Sequence, residues 1–204
     1  YSGGTLGSGA VVDNASLVFS CYGTVTFANA ISGTGTVTQS NSYGTLILTG
    51  SNSYSGGTTV SSGTLQIGSG GTSGTIGSGA VTNNDALVFD RSDTITVSGA
   101  ISGSGSLTQQ GTGTLVLSGS NTYSGNTTVN SGGTLRAGSD NALPNGSGKG
   151  DVALYGTLDL NGYSPSVNGL TGSGTVTAGV SGNATLSVGN NNQSSTFSGV
   201  IEDG

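Results

Sequence analysis

The sequence predicts an all-β protein of the solenoid type, in which short strands wind around a common axis with essentially no helix. Three observations support this prediction. The segment GTLGSGAVVDNASLVF at 4–19 returns as GTIGSGAVTNNDALVF at 74–89, and AISGTGTVTQ at 30–39 returns as AISGSGSLTQ at 100–109. A repeat of tens of residues that contains shorter strand-like units is typical of a stacked repeat array. Apolar residues alternate with a period of two, and nowhere with the 3.6-residue period of a helix.

The repeats divide the chain into three blocks of one array. We expect a single β-solenoid over 1–204, with internal repeats at about 4–73 and 74–141 and a divergent block at 142–204. A closed sandwich does not explain a sequence period of about 70 residues, whereas a solenoid does if each repeat makes about three coils of three short strands. The whole chain then makes roughly eight to ten coils, which is a rod of roughly 40–50 Å at ~4.8 Å per coil.

Each predicted strand places apolar residues on one side and a freely varying residue between them. In chain order these segments are 24–27, 45–49, 65–67, 94–97, 135–137, 158–160 and 186–188. The middle residue is Gln, Arg, Asp or Ser in different copies, which is the behaviour of an outward position. Gly, Asn and Ser separate the strands and allow the positive φ angles of tight corners. The residues predicted to point into the core are Leu46, Leu48, Leu115, Leu117, Leu158, Leu160, Leu186 and Val188.

The composition suits a thin core that is shared by stacked coils. Only 31% of the residues are hydrophobic and 6% are charged, while 41 are glycine, which is little apolar material for a compact globule. The net charge is only −6 and the apolar residues are regularly patterned, so disorder is not expected. The basic residues Arg91, Arg136 and Lys149 are too few for a phosphate-binding surface, so no nucleic-acid partner is expected. No apolar run is long enough to insert this segment into a membrane.

The residue census argues against catalysis, a metal site or a cofactor. The chain has no histidine, which excludes an imidazole base and a histidine-ligated metal. The nine acidic residues are dispersed, and those closest in sequence are the group Asp85, Asp90 and Asp93 and the pair Glu202 and Asp203. We interpret them as solvated loop residues rather than as a carboxylate pair for acid–base work.

Two further patterns have a structural and a functional interpretation. The segment GSGKGD at 146–151 is interpreted as a turn with a charged tip, and one weak cation site is the alternative. Tyr54 and Tyr123 occupy matching repeat positions in N-[ST]-Y-S-G, with Phe197 as a third member. We expect these rings to cover corners of the coil, and a sugar-stacking row is the alternative.

The outward threonines and the single cysteine also have both a structural and a functional interpretation. Thr94 and Thr96 are spaced two apart on one strand face, as are several other threonine pairs. This pattern favours solvent-facing strands with few charges, and an ice-binding face is the alternative. Cys21 has Arg91 as its counterpart in the second repeat, so we interpret it as a small tolerated side chain rather than as a reactive thiol.

Two long segments resemble a known family. GTLILTGSNSYSGGTTVSSGTLQIG at 44–68 and GTLVLSGSNTYSGNTTVNSGGTLRAG at 113–138 are similar to the passenger-associated repeat of bacterial autotransporters. The segment ALPNGSGKGDVALYGTLDLNGYSPSVNGLTGSGTVT at 142–177 is also typical of such passenger domains. The resemblance covers essentially the whole chain and implies a right-handed parallel β-helix that is exported to the bacterial cell surface or beyond it. It implies no particular activity.

The sequence therefore predicts an exported structural or adhesive surface protein, a rigid passenger stalk without catalysis. Both ends read as repeat interior, so we expect them to be covered by more of the same polypeptide or by another subunit. The first alternative is a self-assembling extracellular filament whose subunits stack end to end. The second alternative is a carbohydrate-active β-helix enzyme. The expected partners are a second copy of the chain, a host surface or a glycan.

Overall fold

The computed structural model describes residues 7–180 and 184–203 of the chain. In these ranges the protein is a β-solenoid of about nine turns that is built from parallel strands without a helix, so the predicted fold class is confirmed. The same ranges contain no helix that is long and apolar enough to cross a membrane. The strands are β1 Val11–Val12, β2 Ser16–Phe19, β3 Gly23–Phe27, β4 Ile31–Ser32, β5 Thr36–Leu48, β6 Thr58–Ile67, β7 Val81–Asn83, β8 Ala86–Phe89, β9 Thr94–Val97, β10 Ile101–Ser102, β11 Ser106–Gln109, β12 Thr114–Leu117, β13 Thr127–Val129, β14 Thr134–Ala137, β15 Val152–Leu154, β16 Thr157–Asp159, β17 Ser166–Val167, β18 Leu170–Gly172, β19 Thr175–Thr177, β20 Ser187–Val188 and β21 Val200–Glu202.

The strands of successive turns lie above one another in parallel columns. In the first repeat, β1 pairs with β4, β2 pairs with the first part of β5, and β3 pairs with its second part. β6 continues the last two of these columns by pairing with both parts of β5. From the second repeat into the C-terminal block, one column runs through β8, β11, β13, β15 and β18, and another runs through β9, β12, β14, β16, β19 and β21. Each turn is thus hydrogen-bonded to the next along the rod axis.

The second repeat does not start in the column in which the first repeat starts. By sequence, β7 and β8 correspond to β1 and β2, yet both pair with β6, because Thr58 lies beside Val81 and Thr64 beside Ala86. The second repeat is therefore displaced by one column. One sequence period therefore makes three complete turns of the coil plus one further side of the next turn, whereas the sequence alone predicts about three turns.

The extra side is formed by residues 68–80, which join the two repeats. The amide of Thr75 donates to Gly50 O at 3.1 Å, and the amide of Ser78 donates to Tyr54 O at 3.1 Å. The segment therefore runs along the preceding turn as a strand would, although it lies between β6 and β7. This placement satisfies backbone groups that would otherwise be left without partners.

Aliphatic ladders form the core. Leu115 lies in register with Ile95 on one side and Leu135 on the other, and the ladder continues through Leu158 and Val176. All five side chains are buried. Burial confirms the prediction for six of the eight residues expected to point inward, namely Leu46, Leu48, Leu115, Leu117, Leu158 and Leu160.

The other two residues, Leu186 and Val188, are not fully buried. Leu186 packs against the core but is only partly buried, and Val188 is 48% exposed, so the prediction is wrong for Val188. A solenoid side chain is covered by its own turn and by the turns on both sides. β20 pairs with β17 alone, so no strand of a further turn covers Val188 within the part of the chain that the structure describes.

We predict that Leu115→Ala lowers the free energy of unfolding by about 2–5 kcal/mol, because the cavity would lie in the middle of a fully buried ladder. The measurement is denaturant unfolding followed by far-UV circular dichroism. The matched control is Val116→Ala, one position along β12, where the side chain alternates to the outer face and is only half-buried. An equal loss of stability in the two variants would contradict the assigned strand face.

Candidate functional site

The repeated motif N-[ST]-Y-S-G lies inside the coil and not on its surface. The rings of Tyr54 and Tyr123 are fully buried. Their hydroxyl groups are hydrogen-bonded to the hydroxyls of Thr58 and Thr127, at 2.7 Å and 2.6 Å. Burial raises the pKa of both phenols. These two rings fill corners of the coil and are not accessible to a sugar, while Phe197 is partly exposed.

The asparagine of the same motif links three consecutive turns. Asn52 Oδ1 accepts from the amide of Ile31 at 2.9 Å, and its Nδ2 donates to Thr75 O at 2.7 Å. Asn121 repeats this arrangement, with the amide of Ile101 at 2.8 Å and the carbonyl of Ala142 at 2.7 Å. Both side chains are buried. They satisfy main-chain groups at corners, where the strand ladder is interrupted.

Buried glutamines perform the same task at another corner. Gln109 Nε2 donates to Gly111 O at 3.0 Å and to Gly113 O at 2.9 Å. Gln39, its counterpart in the first repeat, donates to Asn41 O and Gly44 O, both at 3.2 Å. Sequence reasoning missed these amides as interior residues because they are polar. The signal that could have found them is their period-two spacing from Leu107 and Val37 on the same strands.

Asp13 and Gln109 are the two interior polar residues, among those that the structure describes, that leave a buried side-chain oxygen without a hydrogen-bond partner. The counterpart of Asp13, Asn83, is buried and donates from Nδ2 to Ser106 O at 2.8 Å. Asp13 is also buried, and its Oδ1 accepts from the amide of Ala15 at 3.1 Å. Its Oδ2 is buried without a hydrogen-bond partner among the described residues. A carboxylate cannot donate as the Asn83 amide does, so this position carries an uncompensated desolvation cost.

We predict that Asp13→Asn raises the free energy of unfolding by about 1 kcal/mol, because the new amide can donate to the main chain as Asn83 does. Chemical denaturation of the two proteins side by side gives the difference. The reverse exchange, Asn83→Asp, is the matched control and should lower stability. If both exchanges shift the denaturation midpoint in the same direction, the proposed equivalence of the two positions is wrong.

Arg91 fastens the segment that joins the two repeats. Its side chain is buried, and its guanidinium donates to Thr72 O at 2.7 Å and to Gly74 O. It also donates to both carboxylate oxygens of Asp93, at 2.8 Å and 2.7 Å. The hydrogen bond from Arg91 lowers the pKa of Asp93. Asp93 is therefore part of a structural ion pair and not simply the solvated loop residue expected from the sequence.

We predict that this ion pair makes stability depend on acid. A carboxylate whose pKa is lower in the folded state than in the unfolded state stabilises the fold fully when the pH is above the unfolded pKa of about 3.9. This stabilisation is lost as the pH falls through the folded-state pKa. The difference in unfolding free energy between the native chain and Asp93→Asn should therefore shrink as the pH is lowered below about 4.

The acid dependence is measured by thermal unfolding across a pH series, with Asp203→Asn, an exposed carboxylate near the far end, as the control. A constant difference between the native chain and Asp93→Asn down to about pH 2 would argue against the ion pair.

The outer face formed by β9, β12, β14, β16 and β19 carries a continuous threonine row. It consists of Thr94, Thr114, Thr134, Thr157 and Thr175, stacked in register. The adjoining outward row reads Thr96, Val116, Arg136, Asp159 and Thr177. Arg136 Nε donates to Asp159 Oδ2 at 2.6 Å, which explains why Asp159 is buried although the sequence placed it outward. This ion pair interrupts the second row, so the face lacks the two adjoining hydroxyl rows of the ice-binding alternative.

The remaining acidic residues include a pair at the C-terminal end and single carboxylates elsewhere. A groove of about 290 Å³ near the C-terminal end is lined by apolar residues together with Glu202 and Asp203. Glu202, the last residue of β21, is in register with the outward Thr177, and Asp203 follows the end of the strand. Asp85 instead accepts from the amide of Gly63 at 2.5 Å. In 7–180 and 184–203, no group of three or more Asp, Glu or Cys residues could hold a metal ion.

The polar groups of the GSGKGD segment bond to the neighbouring turns of the coil. Asp151 Oδ1 accepts from the amide of Gly169 at 2.8 Å, and Lys149 donates to Thr122 O. Asn168, which is buried, donates to Gly146 O at 2.9 Å and to Lys149 O at 2.7 Å. The arrangement is that of a turn held against its neighbours, as the favoured interpretation expects.

Comparison with known proteins agrees with this structural assignment. The family model described as the passenger-associated-transport-repeat matches residues 41–67 and 107–137. Each match includes the buried Asn, Tyr and Thr of the repeated motif, so the family pattern coincides with the interior corner described above. Together with the β-solenoid, the two matches confirm the resemblance to autotransporter passenger domains. No curated protein and no solved structure gives a significant match to the chain.

Proposed function

We propose that this solenoid of passenger-associated repeats is a section of a stiff, non-catalytic stalk in an exported bacterial surface protein. The observation that carries the proposal is the continuous in-register stack from β9 to β21, in which each of the six strands pairs with the next along the axis. The family pattern supports export as a passenger, because its two matches belong to passenger-associated repeats.

The stack suits a mechanical role. Its main-chain hydrogen bonds run between turns, so bending the rod would strain many bonds at once on one side. Buried side-chain amides add resistance to bending at the corners, where Asn52 and Asn121 each link one turn to the turns on both sides. A rod built in this way holds whatever lies beyond it at a fixed distance from the cell.

A role without catalysis is supported by how the polar residues are used. Arg91 and Asp93 secure the junction segment, and Arg136 and Asp159 pair across two turns. Asp151 accepts a main-chain hydrogen bond. These groups are engaged in holding the fold, and the chain has no histidine that could act as a base.

Negative-stain electron microscopy and substrate incubation test the proposal together. The expected particle is a rod, with about nine turns at ~4.8 Å giving about 40 Å along the axis. Pectin, alginate and peptidoglycan fragments should remain intact after prolonged incubation. If the chain degrades one of these substrates reproducibly, and Glu202→Gln or Asp203→Asn abolishes that activity, the stalk proposal is wrong and the carbohydrate-active alternative is correct.

A second candidate function is a filament of subunits stacked end to end. β21 pairs with β19 alone among the described strands, and Ile201, in register with Val176 of the core ladder, is 70% exposed. An unpaired strand edge that also presents a core residue is a template for another β-strand. More of the same polypeptide and a second copy of the chain are the two occupants that fit it.

We predict that the chain self-associates as its concentration rises, and that Ile201→Asp weakens this association by placing a charge on the open edge. Sedimentation velocity over a concentration series measures both effects. Ser98→Asp, an exposed position on the side of the rod, adds the same charge away from the edge and should leave the association unchanged. A native chain that stays monomeric at every concentration would exclude the filament.

A further inference from the structure

We propose that Tyr22 and Tyr43 form a stacking platform for a neutral oligosaccharide on the side of the rod. The side chains are 64% and 74% exposed. They come from adjacent turns, and their ring centroids are 5.8 Å apart with the planes tilted by 34°. Two large aromatic side chains that are paired with each other and otherwise open to solvent are costly to hydrate and are typical of binding surfaces.

The corner that carries these rings departs from the repeat in three ways. Tyr22 and Tyr43 correspond to Ser92 and Thr112 in the second repeat, so both rings are present only in the first. The corner between Gln39 and Thr45 also has one residue more than its second-repeat equivalent. Two aromatic replacements and an insertion at the same corner are not needed by the fold, because the second repeat forms without them.

The extra length makes the corner protrude beside the next turn. Gln39 and Thr45 pair with Val60 and Thr64, so five residues of this corner lie opposite three of the turn above. A local insertion of this kind re-aims a side chain away from the ladder. Tyr43 stands on the inserted stretch, which carries its ring clear of the regular surface.

The backbone beneath the rings is held in place. Gly23 and Gly44 are paired across the two turns, and a Cβ atom on Gly44 would lie 2.1 Å from Cys21 O. The adjacent turns are thus in direct contact under the platform. The amide of Tyr43 donates to Asn41 Oδ1 at 3.0 Å, which fixes the turn that carries its ring. A platform that is ordered before binding loses little conformational entropy when a ligand arrives.

The chemistry around the rings favours an uncharged ligand. Asp13 is the one charged side chain among residues 7–84, and it is buried. The exposed neighbours Ser20 and Ser42 offer hydroxyl groups beside the rings. No basic side chain lies among residues 7–84, so an anionic polymer would find no ion-pair partner here, whereas a neutral sugar ring can place its C–H face on a tyrosine and its hydroxyls on the serines.

Binding at this platform is additional to the stalk, because the rings make no part of the core. The probes are the neutral oligomers cellohexaose, maltohexaose and chitohexaose, with hexagalacturonate as the anionic comparison. Saturation-transfer difference NMR detects binding, and tyrosine fluorescence gives the affinity, since the chain has no tryptophan. We expect at least one neutral oligomer to bind and hexagalacturonate to bind more weakly.

Substitutions locate the site. The double variant Tyr22→Ala/Tyr43→Ala should bind about tenfold more weakly, a change equal to ~1.4 kcal/mol. The double variant Tyr22→Phe/Tyr43→Phe should keep most of the affinity, because it retains both ring faces. Tyr155→Ala removes an exposed ring from another corner and should bind as the native chain does. Unchanged thermal unfolding in all variants separates loss of binding from loss of the stalk.

Three results would overturn the proposal. The first is that none of the three neutral oligomers binds. The second is that the alanine double variant binds as tightly as the native chain. The third is that hexagalacturonate binds as well as the neutral oligomers, because the absence of basic side chains among residues 7–84 would then not govern recognition.

Discussion

Each turn of this protein must accept a similar turn ~4.8 Å away, because the main-chain groups of its strands are satisfied by that neighbour. Residues at equivalent positions are therefore stacked on one another, and only side chains that tolerate such close neighbours can recur. Leucine ladders inside and threonine rows outside meet this condition. Like charges do not, which accounts for a charged fraction of only 6%. Where charged residues occupy stacked positions, as Arg136 and Asp159 do, they have opposite signs.

The corners impose a second condition, because the ladder is interrupted there and main-chain groups still need partners. Buried amides supply them. Asn52 and Asn121 bond main-chain groups of adjacent turns, and Gln109 bonds main-chain groups of its own corner. Buried polar side chains with good partners replace some of the apolar core that a globular domain of this size would need. A chain with 31% hydrophobic residues can therefore form an ordered rod.

Positions at which the two repeats differ indicate where a residue has a special structural or binding role. Arg91 stands where the first repeat has Cys21, at the place where the segment between the repeats must be held against the rod. Tyr22 and Tyr43 occupy a corner that is longer than its repeat counterpart, and they serve no purpose in the core. The first departure has a structural explanation, and the second points outward to a ligand.

The sequence alone determined the solenoid, its strand periodicity and most of its core, because an inward position such as Leu115 is marked by local alternation that any turn must obey. Tertiary structure decided which residues are neighbours in different turns, since this depends on the lengths of corners and connections and not on periodicity. The one-column displacement of the second repeat follows from residues 68–80 and could not be read from the repeat itself. The burial of Asp159, the exposure of Val188 and the contact between Tyr22 and Tyr43 could not be read from the sequence either. Each depends on which side chain, if any, the adjacent turn has at the neighbouring position.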